Sequence, residues 1–185
     1  ICFGSRGSLV RIQHLRPRIY NNMIQIADNI FTENEVELFF REVTNLRYNI
    51  NTTDDGAFQS GASSPMQYEM MTYELMLNGI TKAWPDLLEL ELYDCHTNCF
   101  WPGEHTQFHR DNQVEGSVTV ICYVDSNEFN EGGTEVLFED KLRVESILPV
   151  PGRIMRMPGN QLHRGTSYRD KKRLNVAFKF RPQDD

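Results

Sequence analysis

From residue 88 onward the sequence is a train of short alternating segments separated by glycine and proline turns. LELELYD (88–94), SVTVICYVD (117–125), TEVLF (134–138), SILPV (146–150), RIMRMP (153–158) and RLNVAFKF (173–180) follow one another closely. Alternation with period two gives a segment one apolar and one polar face, the pattern of a strand half-buried in a sheet. The connections carry turn residues: Glu131-Gly132-Gly133, Pro151-Gly152 and Pro158-Gly159. Parallel neighbours would need long crossovers between strands, and most of these links are too short for one. The expectation is an antiparallel sandwich or barrel over residues 88–182.

Two helices are expected before it. Thr32 and Glu35 have the spacing of a capping box, and Phe31 and Val36 that of a hydrophobic staple. Val36, Phe39, Phe40 and Val43 then mark one apolar face of a helix near 33–45. Residues 49–64 are polar and turn-rich and read as a loop. Ser64 as N-cap, Pro65 at N1 and Gln67 at N3 predict a second helix over about 65–83, ending before Trp84-Pro85. The helical part thus spans 23–86, its helices covering one outer face of a jelly roll. The fold class is mainly β with N-terminal helices, in a single domain over 23–185.

Residues 1–22 stand apart. They contain Arg6, Arg11, Arg16 and Arg18 and no acidic residue. This basic leader is expected to be disordered or extraneous, with a targeting peptide or a structural strand or arm as the alternatives. The whole chain has 185 residues and a net charge of −7, which disfavours unspecific binding to phosphate backbones. No apolar run approaches the ~18 residues that a transmembrane helix needs. Cys2, Cys95, Cys99 and Cys122 follow no secretory pattern, so reduced thiols and a cytoplasmic setting are expected. Only five residues separate Cys99 from His105, where a zinc finger needs about twelve.

The candidate chemistry sits in the strand-rich region. His109-Arg110-Asp111 places an imidazole and a carboxylate two residues apart, which in a strand share a face. His163 follows RIMRMP and the Pro158-Gly159 turn. Two imidazoles and one carboxylate on a rigid sheet make the facial triad suited to non-haem Fe(II), with positions left open for other ligands. Arg173 opens the last alternating strand. Arg173, Asn175 and Ala177 share one face; Leu174, Val176, Phe178 and Phe180 share the other. The apolar face packs, so the guanidinium points to the opposite, partly enclosed side, where its planar fork suits a carboxylate. Gln107, two residues before His109, is a candidate to support that ring.

These residues together resemble the Fe(II)/2-oxoglutarate-dependent oxygenases, with the order of motifs of the prolyl 4-hydroxylase-like branch. The resemblance spans about residues 90–182. His109-x-Asp111 is similar to the metal motif, and SVTVICYVD to the strand whose Tyr meets the cosubstrate, which falls on Tyr123. Asn130 to Thr134 resembles the Gly-Gly turn, and Pro149 to Arg153 the turn that leads to the distal His. His163, with Arg173 ten residues on, resembles the distal ligand and the basic residue that holds the far carboxylate of 2-oxoglutarate.

The resemblance implies a double-stranded β-helix with His109, Asp111 and His163 as catalytic metal ligands. Arg173 and Tyr123, with Asn175 as strand neighbour, would bind the cosubstrate. It further implies a dioxygenase that uses Fe(II), 2-oxoglutarate and O₂, with L-ascorbate as a candidate reductant. It would hydroxylate a substrate, a prolyl or other peptide side chain among the candidates. Trp101, Phe100 and His105 precede the metal motif and are candidate substrate contacts, or simply close the rim. Arg164, Arg169, Lys171 and Lys172 form a basic cluster that reads as a solvated turn or a site for an acidic peptide. Expected partners are a small-molecule cosubstrate and a peptide or small-molecule substrate, not nucleic acid and not a membrane. Two other classes stay open: a cupin-like metal enzyme without 2-oxoglutarate, and a non-catalytic jelly-roll binding module.

Overall fold

The structure, a computed structural model, describes residues 18–20, 24–52, 58–65, 71–138 and 142–183. Two antiparallel sheets face each other. Strands are β1 (Arg18–Tyr20), β2 (Ile24–Ala27), β3 (Asn49–Thr52), β4 (Phe58–Pro65), β5 (Leu90–Phe100), β6 (Val118–Tyr123), β7 (Thr134–Phe138), β8 (Arg143–Ile147), β9 (Ile154–Pro158), β10 (His163–Gly165) and β11 (Arg173–Pro182). The large sheet has eight strands in the order β1-β2-β9-β6-β11-β5-β4-β3, and the small sheet the order β10-β7-β8. A stretch ahead of β6 extends the small sheet by single bridges, His105 to Thr166 and His109 to His163. This is the expected jelly roll.

The helices lie on the outer face of the large sheet. Helix α1 (Glu33–Thr44) begins at the expected capping box: Glu35 N–H donates to Thr32 Oγ1, and Thr32 N–H to the Glu35 carboxylate. Phe31 packs edge-on against Phe39, with ring centroids 5.0 Å apart. Of the expected apolar face, Phe39 and Val43 are buried, whereas Phe40 is exposed. Helix α2 (Met71–Ala83) buries Met76 and Ile80 in the same cluster. From below, the sheet contributes Leu174, Val176, Phe178 and Phe180 of β11, with Cys95, Cys99, Val118, Val120 and Cys122. A second apolar cluster fills part of the space between the sheets: Ile121, Tyr123, Met155 and Met157 against Val136, Phe138 and Ile147.

Two expectations are corrected. Residues 49–52 and 58–65 are strands, not loop, and β4 pairs with β5 from Ala62↔Cys99 to Pro65↔His96. Ser64 and Pro65 therefore end a strand instead of capping a helix, and Met66 and Gln67 lie outside the described residues. A Ser-Pro step is compatible with either, and the open edge of β5 decides it: Thr97 Oγ1 also donates to the Ser64 carbonyl at 3.1 Å. Within the basic leader, Arg18–Tyr20 pair with β2, so strands from before residue 88 extend the large sheet at both ends. Among the described residues, no helix is long and apolar enough to cross a membrane.

The Gly-Gly turn before β7 shows why small residues stand there. Asn130 and Gly132 have φ of +54° and +70°. A Cβ on Gly132 would come within 2.4 Å of the Tyr168 ring and 3.1 Å of Arg173 Cδ. Gly132→Ala is expected to cost about 2–3 kcal/mol of stability, from left-handed strain plus overpacking. Urea unfolding measures it, and a loss below about 0.5 kcal/mol would contradict the tight approach.

Candidate metal centre

His109 and His163 exchange both backbone hydrogen bonds across the bridge: His109 N–H to His163 O at 2.9 Å and His163 N–H to His109 O at 3.0 Å. Directly opposed residues of an antiparallel pair project their side chains to the same face. The two imidazole centroids are accordingly 4.5 Å apart. Each ring is fixed by the carbonyl two residues before it. His109 Nδ1 lies 2.9 Å from Gln107 O, and His163 Nδ1 lies 2.9 Å from Gln161 O. A carbonyl only accepts, so each Nδ1 carries a proton and each Nε2 is the ring nitrogen left to meet a ligand. Gln107 thus supports His109 with its backbone, while its side chain is exposed.

Asp111 completes the group from a bend, not from a strand. Its N–H donates to Gly159 O at 3.0 Å, which ties it to the turn leading to His163. His109 Nε2 is 3.9 Å from Asp111 Oδ1, and His163 Nε2 is 3.4 Å from Oδ2. One donor atom from each of the three residues lies within 4.8 Å of the others. Burial pushes the Asp111 carboxyl up, but the charges of His163, Lys179 and His109 and the Thr119 hydrogen bond outweigh it and hold it well below the usual range. Burial lowers the His163 pKa against the pull of Asp111. Two imidazoles with Nδ1 tied to backbone carbonyls, beside one ionised carboxylate, fit a divalent first-row metal.

Deeper between the sheets, Arg173 is 1% exposed. Its guanidinium lies over the Phe100 ring at 5.1 Å and the Tyr123 ring at 5.8 Å. Nη2 donates to Thr134 Oγ1 at 3.2 Å, and Tyr123 O–H donates to the same oxygen at 2.8 Å. The Asn175 amide, turned with its oxygen toward the guanidinium, accepts from Nη1 and Nη2 at 3.2 Å. Arg173 Nε is buried without a hydrogen-bond partner. Burial draws the Arg173 pKa down against the nearby Tyr123, Tyr168 and Asp125.

The expected rim residues separate. Phe100 is buried beneath Arg173, since the last residue of β5 pairs with Arg173 and faces inward. Trp101 is half-exposed, its ring 5.4 Å from Lys172 Nζ. His105 is exposed and extends the small sheet. The basic cluster is engaged within the protein: Arg164 with Glu135, Arg169 with Glu131, Lys171 over Tyr168 and Lys172 over Trp101.

Several residues of the site escape the sequence reading. Thr119 Oγ1 donates to Asp111 Oδ2 at 2.8 Å, and Lys179 Nζ lies 3.0 Å from Oδ1. Lys179 continues the inward row of Arg173, Asn175 and Ala177, so the period-two pattern held the signal. Asp125 lies just beyond β6, at the turn into Arg173. It accepts from Tyr168 O–H at 2.9 Å and from Leu174 N–H at 3.4 Å.

Neither a protein-family model nor a curated protein matches the sequence. Solved structures match over most of the chain. A prolyl hydroxylase from Trichoplax adhaerens, in complex with a peptide of hypoxia inducible factor, is 15% identical (TM-score 0.70, covering 86% of this chain and 84% of that one). The non-haem alpha-ketoglutarate-dependent carbocyclase SnoK of nogalamycin biosynthesis is 12% identical (0.68, 87% and 80%). HygX from Streptomyces hygroscopicus, with nickel and 2-oxoglutarate bound, is 13% identical (0.64, 86% and 83%). The chain therefore has the fold of the Fe(II)/2-oxoglutarate-dependent oxygenases. The matches favour no single branch, so of the prolyl 4-hydroxylase-like assignment the fold stands, together with three side chains placed to hold a metal.

Burial pushes the Asp125 carboxyl up to about 6, against its hydrogen bonds from Tyr168 and Leu174. A carboxyl raised above its unfolded value of about 3.9 contributes stability below pH 4 and loses it as pH rises through 6. Asp125→Asn keeps an oxygen for both donors and removes the titration. Its stability relative to wild type is expected to rise by about 2 kcal/mol between pH 4.5 and 7.5 in urea unfolding. A difference independent of pH would contradict the assignment.

Proposed function

We propose that this protein is an Fe(II)- and 2-oxoglutarate-dependent dioxygenase that hydroxylates a peptide side chain or a small molecule. The observation that carries the reading is the pairing of two features between the same sheets. One is a set of three metal-type donors; the other is a fully buried guanidinium with an unpartnered Nε. His109, Asp111 and His163 would hold the iron. Bound iron would supply the activation of O₂, with 2-oxoglutarate as the reductant that leaves as succinate and CO₂.

The protein's own part is orientation. Arg173 would take the far carboxylate of 2-oxoglutarate, because a buried cation without full hydrogen bonding gains most from an anionic acceptor. Thr134 Oγ1 already accepts from Tyr123 and Arg173, which leaves its own proton for a carboxylate oxygen. Phe100 and Tyr123 flank the guanidinium and keep it from water. Asn175 would hold Arg173 in place and leave the cosubstrate to the fork. Ascorbate is a candidate reductant for uncoupled turnovers.

A prolyl ring is one candidate substrate; the acidic balance of the chain disfavours nucleic acid. Cys95, Cys99 and Cys122 are free and buried, which supports a reducing, cytoplasmic setting. A cupin-like enzyme without 2-oxoglutarate, or a binding module, would bury Arg173 with no carboxylate to hold, and both are weaker readings.

Anaerobic titration with Fe(II) and 2-oxoglutarate tests this through the visible charge-transfer band of the chelate. Wild type is expected to give the band and Asp111→Ala to lose it while remaining folded. Arg173→Ala should weaken 2-oxoglutarate by about one to two decades, the worth of a charged hydrogen-bond partner, and Arg173→Lys by less. Unchanged 2-oxoglutarate affinity in Arg173→Ala, with iron binding intact, would hand the assignment to the cupin-like alternative.

A further inference from the structure

Asp111 lies outside every strand, yet its carboxylate is docked on the large sheet by two neighbouring residues. Lys179 on β11 stands directly across from Thr119 on β6 and from Asp94 on β5. Thr119 donates to Asp111 Oδ2 at 2.8 Å, and the Lys179 ammonium sits 3.0 Å from Oδ1. The same ammonium is 3.5 Å from Asp94 Oδ2. Asp94 in turn is 3.0 Å from His96 Nδ1. Lys179 thus lies between two carboxylates, one a proposed metal ligand and one not. The Asp111 side chain is 7% exposed and that of Lys179 17%, so solvent screens their attraction poorly.

This arrangement sets a competition. A divalent ion held by His109, Asp111 and His163 needs an oxygen of Asp111, and the ammonium already sits against that carboxylate. A cation next to the metal repels it and withdraws charge from its ligand. The ammonium has a second acceptor beside it, so it can give up Asp111 without being left buried and unpaired, the costly outcome for a buried charge.

We propose that Lys179 is a built-in counter-ion of the metal centre, which neutralises Asp111 before metal binds and passes to Asp94 when metal takes its place. Lys179 is then a positioning residue that sets metal affinity, and Asp94, steadied by His96, is its receiving site. The inference rests on the dioxygenase reading for the identity of the ligands, but it concerns metal binding alone and needs neither cosubstrate nor turnover.

The probe is Co(II), its affinity measured on the full chain by competition with a chromophoric chelator. Lys179→Met is expected to bind Co(II) about tenfold more tightly than wild type, and its metal-free form to melt at a lower temperature because Asp111 has lost its partner. Lys179→Gln covers the case in which the Met variant fails to fold, with the same expected direction. Lys179→Arg keeps the charge and should stay near wild-type affinity. Asp94→Asn removes the receiving carboxylate and should weaken Co(II) severalfold. That loss should vanish in the Lys179→Met background, because an effect passing through Lys179 cannot survive its removal.

Equal or weaker Co(II) binding in both neutral variants overturns the inference. So does an Asp94→Asn effect that persists without Lys179, which would make Asp94 a general charge near the site. If wild type bound no Co(II) in an Asp111-dependent way, the dioxygenase reading itself would fall. Normal wild-type binding with unchanged neutral variants defeats the counter-ion role alone.

Discussion

The reciprocal backbone pair between His109 and His163 is the contact on which the site depends. It closes the small sheet with one bridge and places two imidazoles side by side without asking anything of the side chains. Everything nearby serves to aim them. The carbonyls of Gln107 and Gln161 fix the ring faces, and the Gly159 carbonyl anchors Asp111 beside them. Because these holds are made by main chain, the geometry depends on sheet register more than on neighbouring side-chain identity.

Charge is handled differently at the two ends of this polar interior. At the triad, one carboxylate is surrounded by Lys179, Thr119 and two imidazoles, so a negative ligand is stabilised in a buried place. At the other end, Arg173 is surrounded by aromatic rings, a shared hydroxyl and an amide. The nearest carboxyl there, Asp125, is itself held toward its neutral form by burial. One end is a ready acceptor for a cation and the other a ready donor to an anion. A ligand that chelates metal at one end and carries a carboxylate at the other suits both.

The strands after residue 88 were legible because burial on one face leaves a period-two record. β5, β6, β7, β9 and β11 fall where that record is clear, and the apolar row Leu174, Val176, Phe178 and Phe180 packs under the helices as the alternation requires. α1 was legible from its capping box, a contact made within four residues. β3 and β4 left no such record. Their polar sequence reads as loop; β4 is a strand because β5 offers an edge to pair with, and β3 pairs in turn with β4. The same edge overrode the helix-capping signal of Ser64 and Pro65.

For the site, the sequence by itself determined which residue types were available: His109, Asp111, His163 and Arg173, each marked by local spacing or by the parity of a strand. Parity also separated the inward row of β11 from its packing row. What only the tertiary structure decided were contacts between residues distant in sequence. Phe100 went beneath Arg173 and not to the rim, Thr134 became the shared acceptor of Tyr123 and Arg173, and Lys179 came between Asp111 and Asp94. Alternation says which face a side chain takes, but register between strands says whom it meets, and register is set by the pairing of whole sheets.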